Sequence, residues 1–335
     1  MRVIRLSEKG GLNRIRVTDE PEPSAPGPGE VRVRLYATSL NYHDYRVVLG
    51  DAPATAGRIP MADGAGVVDA VGEGVTDFAS GDFVVSTFFP LWLDGAPTFS
   101  NFATVPGDGV DGYARDAVVR PATWFTRAPH GWTHAEAATL TTAGLTAWRA
   151  LVDDGGVKAG DSVLVLGTGG VAMFGLQIAK AMGARVIVTS SSDEKLERVR
   201  RLGADETVNY KSVANWGDEV RRLTDGRGVD HVLEIGGPGT LAQSIQAART
   251  GGHISLIGTL TGGSGQVPTA AMMIKQIRLQ GLIVGNRVQQ QDMVRAFDAL
   301  PLRPIIDRTY PLEQLADAFR REESGAHIGK ICVQF

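Results

Sequence analysis

Residues 162–182 read Ser162-Val-Leu-Val-Leu-Gly-Thr-Gly-Gly-Val-Ala-Met-Phe-Gly-Leu-Gln-Ile-Ala-Lys-Ala-Met182. The apolar run Ser162–Leu166 has the length and composition of a buried strand. Val171, Phe174, Ile178 and Met182 fall at helical spacing. Between them, Gly167-Thr-Gly-Gly-Val-Ala172 fits the pattern G-x-G-x-x-G/A, placed after a strand and before a helix. Gly167 allows a tight turn, and Gly169 lets backbone approach a pyrophosphate with no Cβ in the way. Ala172 lets the helix pack closely on the strand. The helix start, with Gly170 and Val171, offers free N–H donors and partial positive charge to phosphates. The stretch therefore predicts a dinucleotide-binding turn.

Downstream, strands and helices alternate. Arg185–Thr189, Glu206–Tyr210, Val229–Ile235 and His253–Ile257 read as strands, and helices are expected through Leu202, near 213–224 and near 240–249. Leu279–Val284 would add a sixth strand. Such alternation implies a doubly wound parallel sheet covered on both faces. Upstream, Arg2–Leu6 and Val31–Tyr36 alternate with the two-residue period of half-buried strands. Glycines and acidic residues punctuate Ala62–Gly74 and Gly81–Val84, which suggests a compact barrel or sandwich. Thr133-His-Ala-Glu136 is a capping-box pattern opening a helix that runs irregularly towards Leu151. Leu312, Leu315, Ala316 and Phe319 share one helical face, and Ile331–Phe335 reads as a last strand that returns to the N-terminal domain.

Composition bounds the possibilities. A chain of 335 residues exceeds the roughly 250–300 at which a single core stops growing, so two domains are expected. Its 42 glycines exceed the background of roughly 7% and follow no collagen-like period. One cysteine, Cys332, excludes an internal disulfide and a Cys₄ zinc site. A formal net charge of −3 gives no electrostatic footprint for nucleic acid or an anionic membrane. No secretory pattern opens the chain and no run approaches a membrane span, so the expected location is the cytoplasm.

The end of the second strand bears on cofactor choice. An NAD site usually places Asp or Glu there, about 20 residues after the first glycine. Here stand Thr189, Ser190, Ser191 and Ser192, with Lys195 within reach. Hydroxyls and an ammonium suit a 2′-phosphate, so NADP(H) is expected rather than NAD(H). Asp193 and Glu194 oppose this by charge.

With Asn41-Tyr42-His43-Asp44, Gly64-Ala-Gly-Val-Val68, Gly81-Asp-Phe-Val84, Ala137-Ala-Thr-Leu140 and the 167–172 turn in this order, the chain resembles the medium-chain dehydrogenase/reductase superfamily over nearly its whole length. The resemblance implies a GroES-like β-barrel catalytic domain (1–140 and 285–335), a Rossmann domain (141–284), and an active site in the cleft between them. It also implies a homodimer. By position, it carries cofactor contacts to Asn41, Thr142, Tyr210, Gly258, Thr259, Val284, Asn286 and Lys330. In zinc members of the superfamily, Cys and His side chains hold a catalytic metal. Those places fall near His43, at Ala62 and at Thr142, and residues 90–115 lack the cysteines of a structural zinc lobe. No zinc is therefore expected. Asn41-Tyr42-x-Asp44 is similar to a segment of the zinc-free, quinone-oxidoreductase-like branch.

These readings point to an NADP(H)-dependent oxidoreductase that moves hydride to a quinone, enone or other electrophilic carbonyl compound. Alternatives are an alcohol dehydrogenase acting on aldehydes and a non-catalytic NADPH-binding redox sensor. Without a metal, oxygen that gains charge needs a protein donor or solvent. Tyr42 and His43 are the candidate donors, with Asp44 beside them and Thr142 as a further polar contact. Phe88, Phe89, Leu91, Trp92, Phe99 and Phe102 hint at an apolar small-molecule substrate.

Overall fold

The computed structural model describes residues 1–7, 11–50, 56–98 and 104–335. In chain order it contains β1 (Arg2–Leu6), β2 (Ile15–Asp19), β3 (Glu30–Ser39), α1 (Tyr42–Leu49), β4 (Ala65–Val71), β5 (Phe83–Ser86), β6 (Ala117–Pro121) and β7 (Phe125–Arg127). Then come α2 (His134–Ala138), α3 (Leu145–Trp148), β8 (Ser162–Leu166), α4 (Gly170–Ala181), β9 (Arg185–Ser190), α5 (Asp193–Arg201), β10 (Glu206–Asn209) and α6 (Trp216–Leu223). The rest is β11 (Val229–Glu234), α7 (Pro238–Ala247), β12 (Ala248–Leu256), α8 (Thr269–Ile274), β13 (Arg278–Gly281), α9 (Arg287–Ala299), β14 (Ile306–Pro311), α10 (Leu315–Glu323) and β15 (Lys330–Gln334). Among the described residues no helix is long and apolar enough to cross a membrane.

The chain divides into two units, Met1–Leu145 with Val284–Phe335, and Thr146–Ile283. In the first, β3 is the spine of a seven-stranded sheet and pairs antiparallel with β15, β4 and β6. Its alternation places Val31, Val33 and Leu35 in a core with Val68, Val84 and Phe125, while Arg32 and Arg34 face outward. Gly66 stands where β4 crosses β3 so closely that a Cβ would lie 2.0 Å from the Arg34 carbonyl oxygen. The C-terminal return is explained by burial. Leu315, Ala318 and Phe319 of α10 and Ile331 and Val333 of β15 share a core with Val3, Ile4, Leu6 and Val47.

The second unit holds six parallel strands in the order β10-β9-β8-β11-β12-β13. All five residues of β8 are buried, as a central strand covered on both faces requires. The strand order reverses between β8 and β11, which creates a switch point at the carboxyl end of β8.

Two boundaries differ from expectation. The junction expected at 140/141 lies at 145/146, because Leu140–Gly144 winds as a π-helix and Thr141 Oγ1 donates to the Ser86 carbonyl of β5 (2.9 Å). Thr142 thus belongs to the first unit. The strand expected over Leu279–Val284 ends at Gly281, and Val284 takes a φ of 47° that no strand accommodates.

Candidate functional site

One candidate site lies in the second unit. Gly167 follows β8 with a φ of 75°, a left-handed conformation that favours glycine. Its N–H donates to the Thr189 carbonyl (2.9 Å), which ties the turn to β9. Gly169 caps α4, whose first backbone bond runs from Met173 N to Gly169 O (2.9 Å). The amides of Gly170, Val171 and Ala172 precede that bond and have no helical acceptor. No acidic residue stands in the first turn. Free amides at a helix start, at the switch point of the sheet, are chemically suited to receive a phosphate group.

Beside it, β9 ends at Ser190, paired with Asn209 of β10. Ser190 Oγ accepts from Ser192 N, and Ser192 Oγ caps α5 by accepting from Lys195 N (both 3.3 Å). Ser191 stands between them. Tyr210 N donates to the Ser190 carbonyl (3.1 Å), and its ring is exposed. Asn209 Nδ2 donates to Asp193 Oδ1 (2.7 Å), which holds the nearest carboxylate against β10. The strand end is therefore a row of hydroxyls.

Glu234, at the end of β11, is a residue that sequence reasoning missed. Its carboxylate is wholly buried and accepts from Gly236 N (2.7 Å), Gly237 N (3.0 Å), Thr240 Oγ1 (2.6 Å) and Ser244 Oγ. It shapes the turn into α7, and its carbonyl accepts from the Ile257 and Gly258 amides (2.8 and 3.2 Å). Gly258 and Thr259 thus follow β12 at the same carboxyl edge as Gly167. The available signal is a glutamate two residues before the glycine pair Gly236-Gly237 that turns the chain into α7.

A separate polar cluster lies in the first unit, around Asp63. This carboxylate is fully buried just before β4. Ser39 Oγ (2.5 Å) and Asn41 Nδ2 (2.9 Å) donate to its Oδ2, and Thr142 Oγ1 donates to its Oδ1 (2.6 Å). The Lys330 ammonium lies 3.6 Å from Oδ2, donates to Asn41 Oδ1 (2.5 Å) and to the Leu40 carbonyl, and is buried. Lys330 was expected to reach a cofactor phosphate. Three oxygens of its own unit hold it instead, because an ammonium in the interior must be paired. A single aspartate in a glycine-rich turn carries no periodic signal, so nothing local in the sequence marks Asp63.

Asn41 and Asp44 begin α1. Asp44 Oδ2 accepts from Asn41 N (3.1 Å) and Asn41 Nδ2 (3.1 Å), and its Oδ1 accepts from Ala62 N (2.9 Å). Burial pushes the Asp44 carboxyl up to about 6, with the nearby Asp63 charge acting the same way and His43 opposing. The structure therefore brings Asn41, Asp44, Thr142 and Lys330 together through Asp63.

Tyr42 and His43 stand outside this network. Tyr42 is half exposed, with its ring tilted against Tyr45. The His43 ring packs edge-on to Phe88, and its Nε2 lies 3.9 Å from Asp108 Oδ2. Asn286 was expected at the cofactor, but its side chain caps α9. Its Oδ1 accepts from Gln289 N (2.8 Å), and Gln289 Oε1 accepts from Asn286 N (2.9 Å). Val284 is buried in the same unit as Asn286. Phe88, Phe89 and Trp92 are buried against one another and Leu91 is exposed, while Phe99 and Phe102 lie outside the described residues.

The Alcohol dehydrogenase GroES-like domain family matches residues 27–130, and the Zinc-binding dehydrogenase family matches residues 170–300. A zinc-type alcohol dehydrogenase-like protein of Schizosaccharomyces pombe is 40% identical over 345 residues, covering 100% of this chain and 99% of that protein. This chain belongs to the medium-chain dehydrogenase/reductase superfamily. It is thus an alcohol dehydrogenase-like oxidoreductase with a GroES-like domain and a Rossmann-like sheet. Among solved structures of similar fold, an NAD-dependent alcohol dehydrogenase shares 36% identity with a TM-score of 0.89, covering 100% of both chains. A mycobacterial protein complexed with NADPH shares 26% identity with a TM-score of 0.82, again covering 100% of both.

The names of both the matched family and this relative raise zinc for this superfamily member, and its side chains can be tested for it. Ala62 has no lone pair to offer. The Thr142 proton is committed to Asp63, and the Asn41 amide is taken by Asp44, Asp63 and Lys330. Among the described residues no group of three or more His, Cys, Asp and Glu side chains is placed to hold a metal ion. The residues do not fit catalytic zinc, which takes three protein ligands of the thiolate, imidazole or carboxylate kind.

Proposed function

We propose that this protein is a zinc-independent, NADP(H)-dependent oxidoreductase that reduces a quinone, an enone or another electrophilic carbonyl compound. The observation that carries the reading is the Asp63 cluster. Where zinc relatives need open metal ligands, this chain has a buried carboxylate closed off by Ser39, Asn41, Thr142 and Lys330.

Bound NADP(H) supplies the hydride. The amides at the start of α4 receive its pyrophosphate, and Ser190, Ser191 and Lys195 receive the 2′-phosphate, which the absence of a carboxylate at that strand end favours. Tyr210, Gly258 and Thr259 border the same edge. In the first unit, Thr142 Oγ1 gives its single proton to Asp63, so it cannot protonate a ligand. Two donors remain. Tyr42 has a half-exposed phenol, and the His43 imidazole packs edge-on to Phe88. Tyr42→Phe should lower kcat about 10²–10⁴-fold with NADPH affinity unchanged. A wild-type kcat would transfer the role to His43 or solvent.

The deciding experiment is NADPH and NADH oxidation with quinones, enones and aldehydes, with metal analysis of the same dialysed sample. A lower KM for NADH would end the NADP(H) assignment, and stoichiometric zinc would end the metal-free one. Turnover confined to aldehydes would favour the alcohol dehydrogenase reading, to which the names of the relatives incline. The same reading carries a cytoplasmic location and a homodimer. The terminal strand β13 and the exposed side chains of Met273, Ile274 and Ile283 support the latter. Light scattering at the monomer mass would refute it.

A further inference from the structure

We propose that the amino edge of the six-stranded sheet carries a second anion site, built for a phosphate or phosphomonoester group. There, in the second unit, a cavity of about 260 Å³ lies among Lys158, His231, Arg249, His253 and Arg278. It is distinct from the glycine turn. His231 pairs in register with Val163 near the start of β8, whereas Gly167 follows the last residue of that strand. Four residues of strand separate these levels by about 13 Å.

The charges around this cavity do not cancel. Asp230 accepts two bonds from Arg227 (2.8 and 2.6 Å), one from Arg249 Nε (2.5 Å), and one each from Ser162 N and Oγ (2.9 and 3.0 Å). Asp161 accepts from Lys158 Nζ (3.1 Å) and faces His231 Nε2 at 3.0 Å. Arg278 has no carboxylate among these partners. Its Nε donates to His253 Nδ1 (2.6 Å) and its Nη2 to the Asp154 carbonyl, while the Asp154 carboxylate lies 3.0 Å from Arg149. Lys158, Arg249 and Arg278 line the cavity with two carboxylates, Asp161 and Asp230, and Arg227 pairs with Asp230 beside it, so the cluster holds two positive charges in excess.

The histidines do not add to that excess. An imidazole that accepts from a guanidinium at Nδ1 is neutral, and burial beside Arg278 pushes His253 down to about 4. His231 is more than nine-tenths buried, and its Nδ1 has no hydrogen-bond partner among the described residues. Two guanidiniums and an ammonium around a small polar cavity match a tetrahedral dianion, because guanidinium forks bind oxyanions two bonds at a time.

The test is calorimetric titration of the full chain with inorganic phosphate and with glycerol phosphate, at an ionic strength held constant with sodium chloride. Binding should survive in Gly169→Val, which obstructs the glycine turn, and weaken at least tenfold in Arg278→Gln. Lys158→Gln, at an exposed side chain, should weaken it about threefold. The His253 imidazole resonances should titrate at higher pH when phosphate is bound, a readout that needs no variant. Tighter binding of glycerol phosphate would identify an organic phosphate as the natural source. No binding above the chloride control would overturn the proposal. So would binding lost in Gly169→Val and kept in Arg278→Gln.

Discussion

Lys330 is one residue before the terminal strand's Ile331, yet its ammonium reaches Asn41, 289 positions earlier in the chain. A buried carboxylate and ammonium stabilise each other mainly because either alone would be costly. Lys330→Met should therefore destabilise the protein by about 3–5 kcal/mol, and adding Asp63→Asn should recover much of that loss. Urea unfolding of both variants checks this, and an additive double mutant would contradict the pairing.

Asp44 gives a pH signature at the same scale. Its folded value of about 6 lies above the ordinary value of 3.8. The native state then holds more protons than the unfolded state between about pH 4 and 6, and this group's contribution to stability falls as pH rises through that window. His253 acts oppositely over overlapping pH, being pushed down. The clean measurement is thus the difference in unfolding free energy between wild type and Asp44→Asn across pH 4 to 7. The variant should lose the downward slope, and parallel curves would refute it.

Among the elements, the connection from β9 to α5 decides cofactor choice on this reading. Ser190 and Ser192 are engaged with backbone, and Asp193 is drawn to Asn209, so Ser191 is the position where a carboxylate would meet an adenosine ribose. Ser191→Asp should raise KM for NADPH about tenfold or more while lowering it for NADH, since repulsion of one close charge readily exceeds the 1.4 kcal/mol that a tenfold change represents. Unchanged KM values for both would show that the 2′ position is read elsewhere. Element identity was legible where periodicity was strong. The strand β8 and helix α4 follow from the 162–182 pattern, and α2 opens at its Thr133–Glu136 capping box. The end of β13 was not legible, because Leu282 and Val284 are apolar and look like strand, while a positive φ at Val284 turns the chain away.

At the scale of the molecule, the proposed zinc-independent function predicts that prolonged dialysis against a chelator leaves both turnover and the thermal midpoint unchanged. A loss restored by zinc would contradict it. The two units and their folds could be read from the chain because each rests on repeated local patterns: alternation at β3, helical spacing at α4, glycine where backbone must turn sharply or approach closely. Those patterns are written within ten to twenty consecutive residues. The Asp63 cluster could not be read that way. Ser39, Asn41, Asp63, Thr142 and Lys330 come from four separate segments, and each alone looks like an ordinary loop or strand residue. The sequence by itself determined which residues turn, alternate and cap, and the absence of zinc-type ligands at Ala62 and Thr142. Only the tertiary structure decided that Lys330 is an interior counter-ion to Asp63. The reason is that pairing a buried charge depends on distances between segments, and no local pattern encodes those.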